Sequence, residues 1–390
     1  MKKIFIASII LLIIALVSFL VYNFFFKETP GGADTDPNGA LPSSPADISG
    51  NGSGSKNPSS SNAPQTRGSL RALSQEKVMA AAIHEDGKTV KYYSKENGNV
   101  WKSGFEGENL QRISSVTIGG LVKVLWSPDK EKVISFLADG SVLKKYLFNY
   151  KTNQSSPLND GIKSIAWSPN GKNIAYQYTD ASTGLSNISV ADPDGGNWRN
   201  VFKTRIDDLM VEWPSDQKIS IRSRVSGLAQ GLVYTINPQT GDFQKIISDQ
   251  FGLSIKWSPK TDKILASLTD SNGRNPKIIL FNENGTQSKD LNLKGIVDKC
   301  AWSKDNLTIF CALPYSEFSN YDVWPDDYYK GTIIVNDAIY KINLETNEKT
   351  MLAGSLEQIG IDAQDMFLSP KEDYLFFTNR KNGLLYGLKL

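Results

Sequence analysis

The chain offers few side chains of the kinds that usually do chemistry. Its 390 residues contain one histidine, His84, and two cysteines, Cys300 and Cys311. A single imidazole excludes a metal site built from several histidines, and two thiols cannot make a thiolate zinc cage. His84 sits in a turn beside Glu85 and Asp86, without a second His or a nucleophile, and reads as a solvated turn residue. Asp192 and Asp194 in the phrase DPDGG offer far fewer oxygens than the roughly six to eight a calcium ion takes, so they read as turn formers. Arg222 and Arg224 share one face of a strand by the period of two, where a solvated or ion-paired role is expected. The 43 Lys and Arg nearly cancel the 41 Asp and Glu, for a formal net charge of +2, which excludes a nucleic-acid binder held by a clustered positive field. No catalytic residue, metal ligand or cofactor-binding residue is assigned, and no cofactor is expected.

One stretch is different. Residues 315–330 carry six aromatics, Tyr315, Phe318, Tyr321, Trp324, Tyr328 and Tyr329, and four acids, Glu317, Asp322, Asp326 and Asp327. Tyr and Trp on a long loop supply large, rigid contact area of the kind that dominates binding energy. The eight candidates for partner contact are Tyr315, Phe318, Tyr321, Trp324, Asp326, Asp327, Tyr328 and Tyr329. Three readings stay open: rings folded back onto the adjacent structure, contact with a partner, or binding of a small ligand. Cys300 and Cys311 flank a turn; a hairpin centred on Asp305-Asn306 sets them directly opposite one another. Either a structural disulfide or two reduced core thiols would fit that register.

These residues sit in a repeating frame. The phrase apolar-x-Trp-Ser-Pro, a short turn, then an alternating apolar run, reads VLWSPDKEKVISF at 124–136, IAWSPNGKNIAYQY at 165–178 and IKWSPKTDKILASL at 255–268. Weaker copies begin at 211, 300 and 366, and a degenerate first copy begins at 81. The marker positions are Ile83, Trp126, Trp167, Trp213, Trp257, Trp302 and Leu368, spaced by 43, 41, 46, 44, 45 and 66 residues. The long last spacing holds the aromatic stretch. Periods of about 40–45 residues with several short strands each predict a seven-bladed β-propeller, an all-β fold. Each marker closes an inner strand, and the recurring Trp fills the gap between neighbouring blades. Third strands are predicted at 187–190, 232–236, 277–281 and 338–342, and outer strands at 200–203 and 244–247. The last repeat stops one strand short, while 70–74 has the outer-strand pattern and no blade of its own. Pairing 70–74 with 384–390 would close the ring and remove two open edges. Second-to-third-strand loops emerge beside the blade-to-blade connections, so the insertion should roof or flank the mouth of the central channel.

The Trp-Ser-Pro-(Asp/Asn)-Gly-Lys phrase followed by Ile-Ala-Tyr resembles the WD40-like repeat of TolB-type propellers, and similar repeats build the propellers of prolyl-oligopeptidase-like peptidases. The resemblance covers residues 70–390. It implies the propeller fold and a habit of binding other proteins. It transfers no active site: the chain has no G-x-S-x-G phrase and no room for an α/β-hydrolase domain, and the small α/β domain of TolB has no counterpart in 27–69.

The remaining pieces are an anchor and a tether. Residues 4–26 form an apolar run behind Lys2 and Lys3. At about 1.5 Å per residue a helix of this length crosses a bilayer core of about 30 Å. The run lacks a small-x-small cleavage site, so 1–26 is expected to be an uncleaved transmembrane anchor, with its N-terminus cytoplasmic and the remainder periplasmic or extracellular. In 27–69, 26 of 43 residues are Pro, Gly, Ser or Asn and none is aromatic, which predicts a disordered linker. The expected domains are thus 1–26, 27–69 and 70–390. The functional expectation is a membrane-anchored extracytoplasmic protein-binding or scaffold module. Its partner would be another envelope or extracellular protein, and nucleic acid is not expected. The alternative is a propeller enzyme, a hydrolase or lyase, with a carboxylate site in the central channel.

Overall fold

The computed structural model describes residues 70–114, 116–180, 182–354 and 360–390. The anchor expected at 1–26 and the linker expected at 27–69 lie outside them. Among the described residues no helix is long and apolar enough to cross a membrane.

Seven four-stranded antiparallel sheets form in chain order. After β1 (Leu70–Ala72), blade one is β2 (Val78–Ile83), β3 (Thr89–Ser94), β4 (Val100–Gly104) and β5 (Gln111–Arg112). Blade two is β6 (Leu121–Trp126), β7 (Lys132–Asp139), β8 (Val142–Asn149) and β9 (Gln154–Leu158). Blade three is β10 (Ile162–Trp167), β11 (Ile174–Thr179), β12 (Ser186–Ala191) and β13 (Arg199–Thr204). Blade four is β14 (Met210–Ser215), β15 (Lys218–Arg222), β16 (Gln230–Ile236) and β17 (Phe243–Phe251). Blade five is β18 (Ser254–Trp257), β19 (Lys263–Leu268), β20 (Lys277–Asn282) and β21 (Ser288–Lys294). Blade six is β22 (Cys300–Trp302), β23 (Thr308–Pro314), β24 (Asp337–Asn343) and β25 (Lys349–Ala353). Blade seven is β26 (Ala363–Leu368), β27 (Tyr374–Asn379) and β28 (Leu385–Lys389), completed by β1.

The closure is the one the chain ends predict. Leu70, Arg71 and Ala72 pair with Leu388, Gly387 and Tyr386. The Leu73 amide adds a bond of 2.8 Å to the Leu385 carbonyl, and the Ser74 hydroxyl accepts the Leu385 amide at 3.0 Å. Inner strand β2 lies against β26 and β27, so the first blade meets the seventh. The sequence Leu73, Val78, Val90, Tyr92, Phe376 and Leu385 forms the core between them. Each of the other blade interfaces has its own apolar cluster, which is how flat sheets with two apolar faces all find cover.

The repeat phrase has a local physical reason. Three of the five marker Trp side chains tie blades together by hydrogen bonds: Trp126 donates its indole N–H to the Ala80 carbonyl at 2.7 Å, Trp167 to Leu125 at 3.1 Å and Trp302 to Lys256 at 3.3 Å. The following Ser is buried and accepts the amide that opens the second strand, as in Lys132 to Ser127 at 2.9 Å and Tyr374 to Ser369 at 3.0 Å. Four residues after the marker the backbone turns left-handed. Gly171 supplies that conformation at φ +68°, whereas Lys130, Thr261, Asn306 and Glu372 adopt it with side chains. Cys300 and Cys311 are direct cross-strand partners, as the register predicts, and they are joined by a disulfide within the core between blades five and six.

Candidate functional site

The 22 residues between β23 and β24 build a folded insert containing a five-residue helix, α1 (Asp326–Lys330), which the sequence reading did not anticipate. Gly331, left-handed at φ +82°, ends α1 and bonds its amide to the Tyr328 carbonyl. The insert leaves blade six and reaches back over two blades. The Trp324 amide donates to the Gly273 carbonyl of blade five at 2.7 Å, and the Asp326 carboxylate accepts the Gly227 amide of blade four at 2.6 Å. Both hairpins need glycine at the contact. A Cβ on Gly227 would collide with the Trp324 carbonyl, and one on Gly273 would stand 2.7 Å from Val323 Cγ1. Asp327 accepts the Val323 amide at 2.8 Å and so closes the turn before the helix.

Beneath the insert lies a small core of Ile296, Trp324, Tyr328 and Val335, with Phe318 and Ile333 against it. Trp324 stacks on Tyr328 at 5.5 Å and meets the edge of Phe318 at 4.8 Å. Tyr328 is clamped by charge. The Arg380 guanidinium, from the β27–β28 turn of blade seven, lies 3.9 Å over its ring and donates to its carbonyl at 2.9 Å. Lys299, fully enclosed, bonds Asp362 at 2.6 Å, Asp337 at 2.8 Å and the Tyr328 hydroxyl at 3.3 Å. Two cations thus face two carboxylates, the only arrangement in which such charges tolerate burial. Burial raises Asp337 to about 6 against the pull of Lys299, and it pushes the Tyr328 hydroxyl up to about 12.

The eight residues singled out in this stretch therefore divide. Trp324 and Tyr328 are buried and Phe318 is half-buried, all holding the insert down. Asp326 and Asp327 spend their carboxylates on backbone amides. Tyr315, Tyr321 and Tyr329 face outward, Tyr321 with 93% of its surface open. Tyr329 also reaches inward, its hydroxyl bonding Asp298 at 2.5 Å.

Asp298 leads to a group that the sequence reading missed. Asp298 accepts the Ser254 hydroxyl at 3.0 Å and interacts electrostatically with Glu212, Lys256 and Asp365. Glu212 is on β14, Lys256 on β18 and Asp365 on β26, the innermost strands of blades four, five and seven. Innermost strands from such distant blades approach one another only around the ring axis, which is where charges on them can act on each other. Arg222 bonds Glu212 at 3.2 Å, and Lys256 donates to the Cys300 carbonyl at 2.5 Å. Burial raises both Glu212 and Asp365 and lowers Lys256, the directions expected where protein encloses a charged group. Asp365 sits at a β-bulge with φ +52°, a backbone choice that re-aims its side chain. Carboxylates raised beside an amine that is lowered can exchange protons with a bound molecule. A signal existed in the repeat: the position before the marker is Leu125, Ala166 and Ala301 elsewhere, but Glu212 and Lys256 here.

The other residues weighed from sequence fall where their types suggest. His84 stays in the β2–β3 turn between Glu85 and Asp86, at 3.0 and 3.1 Å. Arg222 pairs with Glu212 and Arg224 with Asp208. Asp192 and Asp194 accept turn donors from Asn197 and Gly196. Among the described residues no group of three or more His, Cys, Asp or Glu side chains is placed to hold a metal ion.

No protein-family model matches the chain, and no curated protein matches it. Among solved structures it is similar to oligogalacturonate lyase from Vibrio parahaemolyticus, with 10% identity and a TM-score of 0.58 over 84% of this chain and 94% of that one. It is also similar to the protein lmo1340 from Listeria monocytogenes EGD-e, with 12% identity and a TM-score of 0.53 over 80% and 95%. TolB from Acinetobacter baumannii matches 81% of this chain and 64% of its own, at 11% identity and a TM-score of 0.44. At such identities the likeness is one of fold, and the fold is the seven-bladed propeller that the repeats predict.

Proposed function

We propose that the chain is a membrane-anchored, extracytoplasmic propeller that binds another envelope or extracellular protein through the insert of blade six. The observation that carries this reading is the division of labour among the insert's rings. Buried Trp324 and Tyr328, with Asp326, fix it across four blades while Tyr321 stands 93% open. A pre-ordered platform with an outward tyrosine loses little conformational entropy on docking, which is where contact area turns into affinity. The apolar run at 4–26 would hold the ring at a membrane, within reach of envelope proteins. The test is affinity capture with the full-length chain. One specific protein should be retained by the natural sequence and lost with Tyr321→Ala, while Asp365→Asn leaves it bound; equal retention by all three would overturn the reading.

A second reading rests on the channel group. Glu212, Asp365 and Lys256 would form the acid–base set of a hydrolase or lyase, and the fold is shared with an oligogalacturonate lyase. A screen of ester, glycoside and lactone substrates, with and without calcium, decides it. Turnover abolished by Asp365→Asn or Glu212→Gln would establish the channel as a catalytic site.

A further inference from the structure

Blade three has one sheet face that breaks the packing rule of its neighbours. Its face toward blade four is apolar: Ile188, Val190, Val201 and Phe202 join the core of that interface. On the opposite face, cross-strand rows run outward from apolar to polar. One row passes from Ile165 through Tyr176 and Ser189 to Asn200, and the next from Ile162 through Tyr178 and Asn187 to Lys203. The inner ends, Ile162, Ile165 and Tyr176, pack in the core with blade two. The outer ends do not, and a cavity of about 450 Å³ remains between blades two and three. It adjoins a second of about 370 Å³, with which it shares Asn159, and a third of about 450 Å³, with which it shares Asp180 and Asn200. The shared lining places the three side by side, a grooved surface along the outer parts of blades two and three.

Trp198 stands on the wall of the middle cavity with 62% of its surface open. It leaves a rigid turn, in which the Asp192 amide bonds the Gly196 carbonyl at 2.9 Å and Asn197 bonds the Asp192 carboxylate at 2.7 Å. Among the described residues, neither its indole N–H nor the Tyr178 hydroxyl has a hydrogen-bond partner. The nearby amides are half engaged: Asn200 accepts the Ser189 hydroxyl at 2.8 Å and Asn159 accepts the Gly161 amide at 2.8 Å, which leaves both NH2 groups for a ligand. Asp194 likewise uses one oxygen on the Gly196 amide at 2.9 Å.

We propose that this groove binds an oligosaccharide, one sugar ring stacked on Trp198 and its neighbours extending along blades two and three. A pyranose offers an apolar C–H face to an indole and a rim of hydroxyls to amides and carboxylates, and the middle cavity presents both. Its length across three cavities suits a chain rather than a single ring. Tyr176, Tyr178 and Ser189 on the floor of the middle cavity belong to β11 and β12, strands paired on both sides, so an extended peptide lying there would lack the main-chain partners that strand addition gives it. The site is separate from the insert and independent of the reading given to it.

The probe is an array of neutral and acidic oligosaccharides of two to eight sugars, read with the full-length chain, and titration of the strongest binder by tryptophan fluorescence. The expected result is saturable binding that tightens with chain length, weakens at least tenfold in Trp198→Ala and in Asn200→Ala, and is unchanged in Tyr321→Ala. Absence of binding to every glycan would overturn the proposal. So would binding that Trp198→Ala leaves intact, or Trp198-dependent binding of an extended peptide with no glycan response.

Discussion

Asp337 is the carboxylate whose titration says most about the insert's footing. Its ordinary value of 3.8 rises to about 6 because it is buried, with Lys299 and the Ala363 amide opposing that rise. A raised folded-state value means the group contributes stability fully at pH below 3.8 and loses it as pH climbs through about 6. Asp337→Asn removes that dependence. Relative to the variant, the natural chain should therefore lose up to about 3 kcal/mol of unfolding free energy between about pH 4 and pH 6.5, measured by denaturant titration at each pH. A flat difference across that range would contradict the burial argument. A second residue-scale prediction concerns Thr261, a β-branched residue at φ +59° where a sister repeat has Gly171. Thr261→Gly should raise the unfolding free energy by about 0.5–1 kcal/mol, since relief of the left-handed strain exceeds the added chain entropy. At this scale the sequence is only partly legible. The Trp-Ser-Pro phrase shows which residues close each strand, but Glu212, Lys256, Asp298 and Asp365 lie far apart in the chain. Only the ring geometry brings them together.

The insert behaves as an element with its own core. Trp324 contacts Phe318 and Tyr328 and is 2% exposed, so Trp324→Ala should empty that core while the blades keep theirs. Hydrogen exchange should then speed up across 315–335 and stay unchanged in the inner strands. Lys299→Met is harsher, because it strands Asp337 without its cation and leaves Asp362 only Arg380. A loss of about 3–5 kcal/mol is expected, with a corresponding fall in Tm. The aromatic richness of 315–330 and its place on the blade-connection face could be read in advance. Which rings anchor and which face solvent could not, because that depends on Gly227, Gly273 and Arg380 in three other blades. The strands were easier: the predicted stretch 187–190 lies inside β12, and 338–342 lies inside β24.

At the scale of the molecule, the ring holds together through its seam. Leu73 is 2% exposed between blades seven and one, beside the short β1 ladder. Leu73→Ala should cost about 2–5 kcal/mol and promote dissociation of β1 before the inner strands open, visible as early exchange at Leu385–Lys389. Seven blades and their closure were legible because repeats and chain ends obey rules that a single chain states openly: marker spacing, and a missing strand matched by a spare one. What the ring engages was not, since recognition depends on faces assembled from separate repeats. The proposed docking face can be tested directly by placing a photo-crosslinking amino acid at position 321 in the full-length protein, expressed in cells, and illuminating them. A single saturable adduct to one envelope or extracellular protein, absent when the crosslinker replaces the buried Trp324, is the predicted result. Adducts equally diffuse from position 321 and from a site on the far side of the ring, such as Phe243, would contradict the account.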